Sequence, residues 1–167
     1  MFATFETSIP EGAALAETYT LLRLGDGRAT TLALWTATTD PMAYEVEADQ
    51  TGGAGDRPPT AALTLWFDGP ISPARIAAAR FGYRERIAPV LATLPGLVRS
   101  VVLRRDRDAA SCVVGLAVDL PALESGEAAV NATPLLPGED PALLTGPDRV
   151  EAHHVTTHTT SRSEATS

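Results

Sequence analysis

Residues 72–97 read SPARIAAARFGYRERIAPVLATLPGL, and this stretch decides the fold. Ser72 is a good helix N-cap, and Pro73 suits the first helical position, where a backbone N–H is not needed. Apolar residues then recur near helical spacing, which predicts one amphipathic helix over 74–94. Pro89 should kink this helix, and the proline-glycine pair that follows it should end it.

Strands are predicted on both sides of the long helix. Residues 62–67 form a mostly apolar run that is typical of a buried strand. Residues 97–104 and 112–118 form the arms of a hairpin around a charged turn. A short helix from Leu120 and a last strand over 150–157 complete the order. Strand, long helix, strand, strand, short helix, strand is the order of the ferredoxin-like βαββαβ unit, an α+β fold.

The beginning of the chain repeats part of this pattern. A short strand is predicted over 1–6, and a hairpin over 18–37 with a Gly-Asp-Gly turn. Asp40 and Pro41 then suit the start of a short helix, as its N-cap and first helical residue. Because a hairpin followed by a short helix occurs twice, we interpret the first part as a degenerate copy that lacks most of the long helix.

These patterns divide the chain into four segments. Residues 49–60 are rich in Gly, Pro, Asp and Thr, which predicts a mobile linker. The predicted division is a degenerate ferredoxin-like half over 1–48, the linker over 49–60 and a ferredoxin-like domain over 61–158. The polar, Ser/Thr-rich end over 159–167 is expected to be disordered.

Composition limits the classes of function. The chain has 167 residues, 44% of them hydrophobic, and a formal net charge of −8. This charge argues against a nucleic-acid partner, because phosphate contacts need clustered positive charge. No apolar stretch approaches the roughly 20 residues that span a bilayer. Since Cys112 is the single cysteine, no disulfide can form within the chain, and we expect a soluble, cytoplasmic protein without a membrane partner.

The junction between the long helix and the next strand carries a family resemblance. Residues 85–98, ERIAPVLATLPGLV, resemble the first helix and second strand of the antibiotic biosynthesis monooxygenase family. The resemblance covers residues 62–158 and extends weakly to the start of the chain. It implies the dimeric α/β-barrel fold, in which two ferredoxin-like sheets form one barrel. Such a barrel would be built by a homodimer or by the two copies within one chain.

The resemblance also implies a function. Some members of the family oxidise polyketide aromatics to quinones without a metal or flavin. The resemblance to these members implies that the chain is a small cofactor-independent monooxygenase that acts on an aromatic or polyketide-like ligand. A polyketide cyclase of the same fold is one alternative. A non-catalytic ligand-binding or assembly module is the other, because fold analogy alone does not supply a function.

Two aromatic residues are the first site candidates. The quinone-forming members use an asparagine, a tryptophan and a tyrosine between sheet and helices, and Trp66 and Tyr83 match the last two residue types. No strand asparagine accompanies them, because Asn131 is the sole asparagine of the chain and lies beyond the short helix. Trp66 and Tyr83 are therefore the implied catalytic residues, with core packing as the alternative.

Three further residues complete the predicted site. Trp35 would offer an apolar wall to a planar ligand, and Arg80 would add a cation from the long helix. His154 would serve as acid or base, because strand parity with Val150 and Ala152 turns it inward. The alternatives are structural: a core tryptophan, an arginine lying over an aromatic ring, and a surface or satisfied core histidine.

The histidines predict no metal site. On a strand, His153 and His154 point to opposite faces, and His154 and His158 are about 13 Å apart. They cannot jointly bind one ion. The glycines within 52–55 lead into two prolines rather than into a helix N-terminus, so they form no dinucleotide or phosphate motif. We therefore expect neither a metal nor a cofactor.

Overall fold

A computed structural model describes residues 1–8 and 11–161, in which eight strands form a closed barrel. All neighbouring strands are antiparallel. The strands are β1 (Phe2–Glu6), β2 (Leu15–Arg23), β3 (Ala29–Trp35), β4 (Tyr44–Thr51), β5 (Ala61–Phe67), β6 (Leu97–Arg105), β7 (Ala110–Ala117) and β8 (Arg149–Thr160). The helices are α1 (Pro73–Gly82), α2 (Ala88–Thr93) and α3 (Leu120–Ala132), with a π-helical turn (Tyr83–Ile87) between α1 and α2.

The barrel consists of two halves with the same strand order. Neighbouring strands run β4-β1-β3-β2 in the first half and β8-β5-β7-β6 in the second. Within each half the order is fourth, first, third, second, which is the ferredoxin-like arrangement. Pairing of β2 with β8 and of β4 with β6 closes the barrel within one chain. The predicted α+β fold, with a degenerate tandem repeat forming a dimeric-type barrel, is confirmed.

Closure pairs every described strand on both sides. The expectation of a homodimer rested on exposed sheet edges, which favour pairing with another chain. Here the edge strands of the two halves pair with each other inside one chain, so a homodimer would have to form through a different surface. No helix within residues 1–8 and 11–161 is long and apolar enough to cross a membrane.

A proline divides the predicted long helix into α1, the π turn and α2. Pro89 has no N–H for the carbonyl of Glu85, and its ring would clash with that carbonyl in a regular α-helix. The π turn widens the backbone here, and the Ala88 N–H donates to the carbonyl of Tyr83, five residues earlier. Such turns are frequent at functional sites, and Tyr83 begins this one.

The helix predicted from Asp40 and Pro41 is wrong, because residues 44–51 form β4. Asp40 closes only a turn, in which its carboxylate accepts a hydrogen bond from the Met42 N–H at 2.8 Å. β4 pairs with both β1 and β6 and thereby completes the barrel. This long-range pairing overrides the local helix signal.

The predicted linker and tail also lose residues to the sheet. β4 extends to Thr51, and Gly52 and Pro59 within the connection to β5 are buried. β8 extends to Thr160, so the tail cannot begin at residue 159. Residues 162–167 of the predicted tail lie outside the described residues, and the predicted domain bounds, 1–48 and 61–158, stay a prediction.

The barrel interior changes character along its axis. Its middle is an apolar core that includes Leu21, Leu32, Leu34, Val101, Leu103, Val114 and Leu116. One end is closed by an ion-pair cluster, which we call the Arg99 plug (Glu17, Tyr19, Asp49, Arg99 and His158). The Arg99 guanidinium donates to Glu17 Oε2 at 2.6 Å and to both carboxylate oxygens of Asp49 at 2.7 and 2.6 Å. The His158 ring stacks on Tyr19 with centroids 4.4 Å apart.

Candidate functional site

A cleft of about 790 Å³ lies between the helices and the outer face of the barrel. We call it the helix–sheet cleft. Strands β4, β6 and β7 form its floor, while α1, the π turn and the connection before β8 form its other walls. Its apolar lining includes Phe67, Ile76, Ile87, Val102, Val113 and Leu144. This size and lining are typical of a site for a small organic molecule.

Polar side chains that include Tyr83, Arg80 and Asn131 give the cleft its chemical character. Tyr83 lies at the start of the π turn, and its hydroxyl donates to Ser100 Oγ at 3.3 Å. Burial raises the pKa of Tyr83, so the phenol is neutral near neutral pH and can donate a hydrogen bond. Arg80 lines the same cleft and pairs with Glu47 of β4. Asn131, on the last turn of α3, also lines the cleft.

Asn131 is the residue that the sequence-based site missed. Nothing in the local pattern brings it to Tyr83, because α3 lies nearly fifty residues further along the chain. The signal that could have found it is its identity, since the chain has no other asparagine. The structure places the two residues on the same cleft.

The two tryptophans lie away from this cleft. Trp66 points into the barrel, where its ring is 4.8 Å from that of Phe5, centroid to centroid. Trp35 is on the outer face of the first half, and its Nε1 donates to Thr4 Oγ1 at 2.9 Å. The predicted site residues Trp66 and Trp35 therefore do not share a site with Arg80 and Tyr83.

The prediction that His154 faces inward is also wrong. His154 is exposed, whereas its neighbour His153 is only 4% exposed and points into the barrel. Parity was taken from Val150, on the assumption that an apolar residue faces the core, but Val150 is 55% exposed. At this end of β8 the inward positions are polar, and they include Glu151 and His153.

His153 and Trp66 belong to a second cavity, of about 210 Å³, at the end of the barrel interior opposite the Arg99 plug. We call it the barrel-end cavity. Trp66 Nε1 donates to Thr64 Oγ1 at 3.1 Å and to Glu151 Oε2 at 3.3 Å. His153 Nε2 is 3.1 Å from the same threonine oxygen. Its other ring nitrogen, Nδ1, is buried without a hydrogen-bond partner among the described residues. Such a group costs about 1–3 kcal/mol.

Burial lowers the pKa of His153 below its usual range, which predicts a pH-dependent stability. Histidine in an unfolded chain has a pKa of about 6.5. Below this pH the unfolded chain binds a proton at His153, whereas the folded chain does not until the pH is lower. The stability that the neutral His153 ring contributes is therefore fully present above the unfolded pKa. It is lost as the pH falls from that value toward the lower folded pKa. Between about pH 7.5 and 5.5, the free energy of unfolding in urea should fall by roughly 1 kcal/mol more in the native protein than in His153→Gln.

His154→Gln provides the matched control for this pH experiment, since it removes a neighbouring histidine that is exposed. It should keep the full native difference between the two pH values. An equal fall in His153→Gln and the native protein would contradict the assignment of this effect to the buried ring.

No group of three or more His, Cys, Asp or Glu residues within 1–8 and 11–161 is arranged to hold a metal ion. Cys112 is buried in the wall of the barrel, and burial raises the pKa of its thiol. A suppressed thiolate makes Cys112 a poor nucleophile. The chemistry of the site therefore depends on the two cavities and their lining.

Several solved structures share this fold. A provisionally assigned monooxygenase from Fusobacterium nucleatum has a TM-score of 0.68 at 7% identity, with 95% of this chain and 93% of that chain covered. A Listeria monocytogenes ferredoxin-fold protein related to antibiotic biosynthesis monooxygenases has a TM-score of 0.60 at 8% identity, with 93% and 94% covered. An anthrone oxidase-like protein has a TM-score of 0.53 at 14% identity, with 95% and 91% covered.

Sequence comparison adds no closer relationship. No protein-family model matches the chain, and no curated protein matches it. Structural likeness at 7–14% identity establishes the fold alone. The chain therefore has the barrel fold found in proteins related to the antibiotic biosynthesis monooxygenases, and the resemblance carried by residues 85–98 is confirmed at the level of that fold.

Proposed function

We propose that the chain is a cofactor-independent monooxygenase and that the helix–sheet cleft binds its substrate, a planar aromatic molecule of polyketide type. The observation that carries this proposal is the cleft itself. It has a volume of about 790 Å³ and largely apolar walls, and it holds a neutral phenol at Tyr83 and an amide at Asn131. The shared fold with an anthrone oxidase-like protein supports an anthrone as the first substrate to test.

An anthrone supplies the electrons for its own oxygenation. The CH₂ group between its two aromatic rings loses both hydrogens, one atom of O₂ becomes the new carbonyl oxygen, and the other leaves as water. The reaction begins when the substrate loses a proton to water and its oxygen becomes negatively charged. The Tyr83 hydroxyl gives up its long hydrogen bond to Ser100 and donates to that oxygen, and the Asn131 amide provides a second donor. Donors aimed at developing charge lower the energy of the transition state bound in the cleft.

A ligand-binding module without catalysis is the second candidate, and the ion pairs of the cleft favour it. Glu47 is held by Arg80 and by Arg104, whose Nη2 is 2.7 Å from its Oε1. Asp49 is held by Arg99 at 2.6 Å. The acidic residues among the described cleft lining are thus engaged by arginines, which leaves no ready carboxylate base. Oxygen consumption distinguishes the two candidates.

Filling the cleft tests both candidates at once. Ala79 lines the cleft from α1, so the indole of Ala79→Trp would occupy the ligand's space. We expect this variant to bind anthrone at least about tenfold more weakly than the native protein, or about 1.4 kcal/mol. Binding is measured by titration without oxygen, and turnover by oxygen consumption with detection of anthraquinone.

Ala77→Trp is the matched control, because Ala77 is exposed on the same helix and does not line the cleft. It should bind and oxidise anthrone like the native protein. Equal binding by both variants, or none by the native protein, would refute the cleft as the site. Saturable binding without oxygen consumption would replace the enzyme with the binding module.

We place this activity in the cytoplasm. Cys112 is the single cysteine of the chain, and it is buried. A protein that forms no internal disulfide suits a reducing compartment.

A further inference from the structure

The barrel-end cavity is separate from the helix–sheet cleft and has no part in the proposed function. It opens inside one end of the barrel, with a volume of about 210 Å³. Phe5 and Trp66 form its aromatic wall, and Tyr44 extends this wall with its ring 6.0 Å from that of Phe5. Arg28 and Arg149 line the cavity and are largely exposed, so they lie at its mouth. A ring would therefore fit inside and a charged group at the mouth.

The two arginines at the mouth are held less closely by carboxylates than Arg23 is. Arg23, deeper in the cavity, is engaged, since its Nη1 donates to Glu151 Oε1 at 2.5 Å and its Nη2 pairs with Asp26. The Arg28 side chain makes no ion pair with a described residue, and the Arg149 Nε is 3.7 Å from Glu151 Oε1. Arg149 also lies over the Trp66 ring, 4.9 Å from its centroid.

The charge of the lining selects the charge of the ligand. Three arginines and two glutamates, Glu6 and Glu151, line the cavity. Arg23 is engaged by Glu151 and Asp26. The positive charges left at the mouth are those of Arg28 and Arg149, and they attract an anionic group. Arginine binds the planar carboxylate group through paired hydrogen bonds.

His153 provides the recognition group at the inner end. It lies four residues from Arg149 on the same inward face of β8, about 13 Å along the strand. When Nε2 carries the ring hydrogen and donates to Thr64 Oγ1, 3.1 Å away, Nδ1 is left as an acceptor. This nitrogen is buried without a partner among the described residues. A ligand hydroxyl would satisfy it.

We propose that the barrel-end cavity is a second binding site, for a small aromatic carboxylate that carries a hydroxyl group at the opposite end of its ring. Arg28 and Arg149 hold the carboxylate, and Phe5 and Trp66 pack against the ring. His153 Nδ1 accepts the hydrogen bond of the hydroxyl. Phe5 and Arg28 come from the first half of the barrel, and Trp66 and Arg149 come from the second, so both halves contribute to the site.

The test uses three probes: 4-hydroxybenzoate, benzoate and 4-hydroxybenzyl alcohol. In Trp35→Phe the only remaining tryptophan is Trp66, in the cavity wall, and its fluorescence reports binding. We expect 4-hydroxybenzoate to give a saturable change. Benzoate lacks the hydroxyl and the alcohol lacks the carboxylate, so each should bind at least about tenfold more weakly.

Variants assign the two recognition groups. Arg28→Gln and Arg149→Gln, added singly to Trp35→Phe, should each weaken 4-hydroxybenzoate binding at least about tenfold. His153→Gln should abolish the preference for 4-hydroxybenzoate over benzoate. Arg57→Gln is the control, because Arg57 is exposed in the connection between β4 and β5 and does not line the cavity. It should leave binding unchanged, and circular dichroism checks the fold of every variant.

Three results would overturn the proposal. The first is no saturable fluorescence change below roughly 10 mM 4-hydroxybenzoate. The second is the same change with inorganic phosphate or with the uncharged alcohol, which would show that no carboxylate is recognised. The third is unchanged binding in both arginine variants. The comparison of the three probes needs no substitution in the cavity, so it decides the matter even where a variant fails to fold.

Discussion

Arg99→Met is expected to lower the free energy of unfolding by about 3 kcal/mol. The Arg99 side chain is only 17% exposed and pairs with both Glu17 and Asp49 at 2.6 Å. Burial would raise the pKa of Glu17, but hydrogen bonds from Tyr19 and Arg99 hold that pKa below its usual range. The variant would therefore leave negative charge inside the barrel without its cation. An unpaired buried charge is among the most destabilising of single changes.

Equilibrium unfolding in urea measures this effect. Arg57→Met is the control, since it removes an exposed arginine and should change stability by less than about 0.5 kcal/mol. Replacing Glu17 and Asp49 by leucine in the Arg99→Met chain should recover much of the loss, because an apolar replacement of the whole cluster avoids the stranded charges. A loss below about 1 kcal/mol in Arg99→Met would show that the plug contributes little to stability.

The parts of the fold that could be predicted depend on local signals. Ser72 caps α1 as expected, its Oγ accepting from the Arg75 N–H at 3.3 Å. Pro89 interrupts the helix at the predicted position, and β6 begins at Leu97, directly after the Leu-Pro-Gly junction. Capping, proline geometry and strand alternation act within a few residues. The order of the elements in the second half could therefore be predicted from the sequence.

The parts that could not be predicted depend on contacts between distant residues. Residues 44–51 follow the helix start signal at Asp40 and Pro41, and they form a strand because β1 and β6 offer partners on both sides. Closure of the barrel follows from pairing between the halves, which no local pattern records. The first half has a hairpin and two further strands but no long helix among its described residues. Its place in the barrel was inferred only from an echo of the second half.

The candidate site shows the same division. Arg80 and Tyr83 lie within one stretch of helix in the sequence, and both line the helix–sheet cleft. Trp66 was assigned from the family resemblance, whereas His154 was assigned by the rule that apolar residues such as Val150 mark the inner face of a strand. That rule failed on β8, where the inward residues Arg149, Glu151 and His153 are polar. Their alternation was the available signal for a polar barrel end.

Gly52→Ala is expected to lower the free energy of unfolding by about 3 kcal/mol, or the melting temperature by roughly 6–12 °C. A Cβ at this position would lie 2.6 Å from the carbonyl carbon of Leu97 and 2.8 Å from its Cβ, and it would also press on the carbonyl oxygen. Backbone hydrogen bonds on both sides of this contact hold Gly52 close to Leu97. The Gly52 N–H donates to the Val98 carbonyl at 2.9 Å, and the Ala54 N–H donates to the Leu97 carbonyl at 2.8 Å.

Relief of the clash would have to separate the end of β4 from the start of β6, and their pairing closes the barrel. The cost is therefore that of overpacking a fixed backbone, which side-chain rotation cannot relieve. Gly146→Ala is the control, because nothing lies within 4 Å of a Cβ added there, and its stability should stay within about 0.5 kcal/mol of native. If Gly52→Ala were as stable as Gly146→Ala, the connection from residue 52 to 60 would not pack on Leu97. It would then be the mobile linker that its composition suggests.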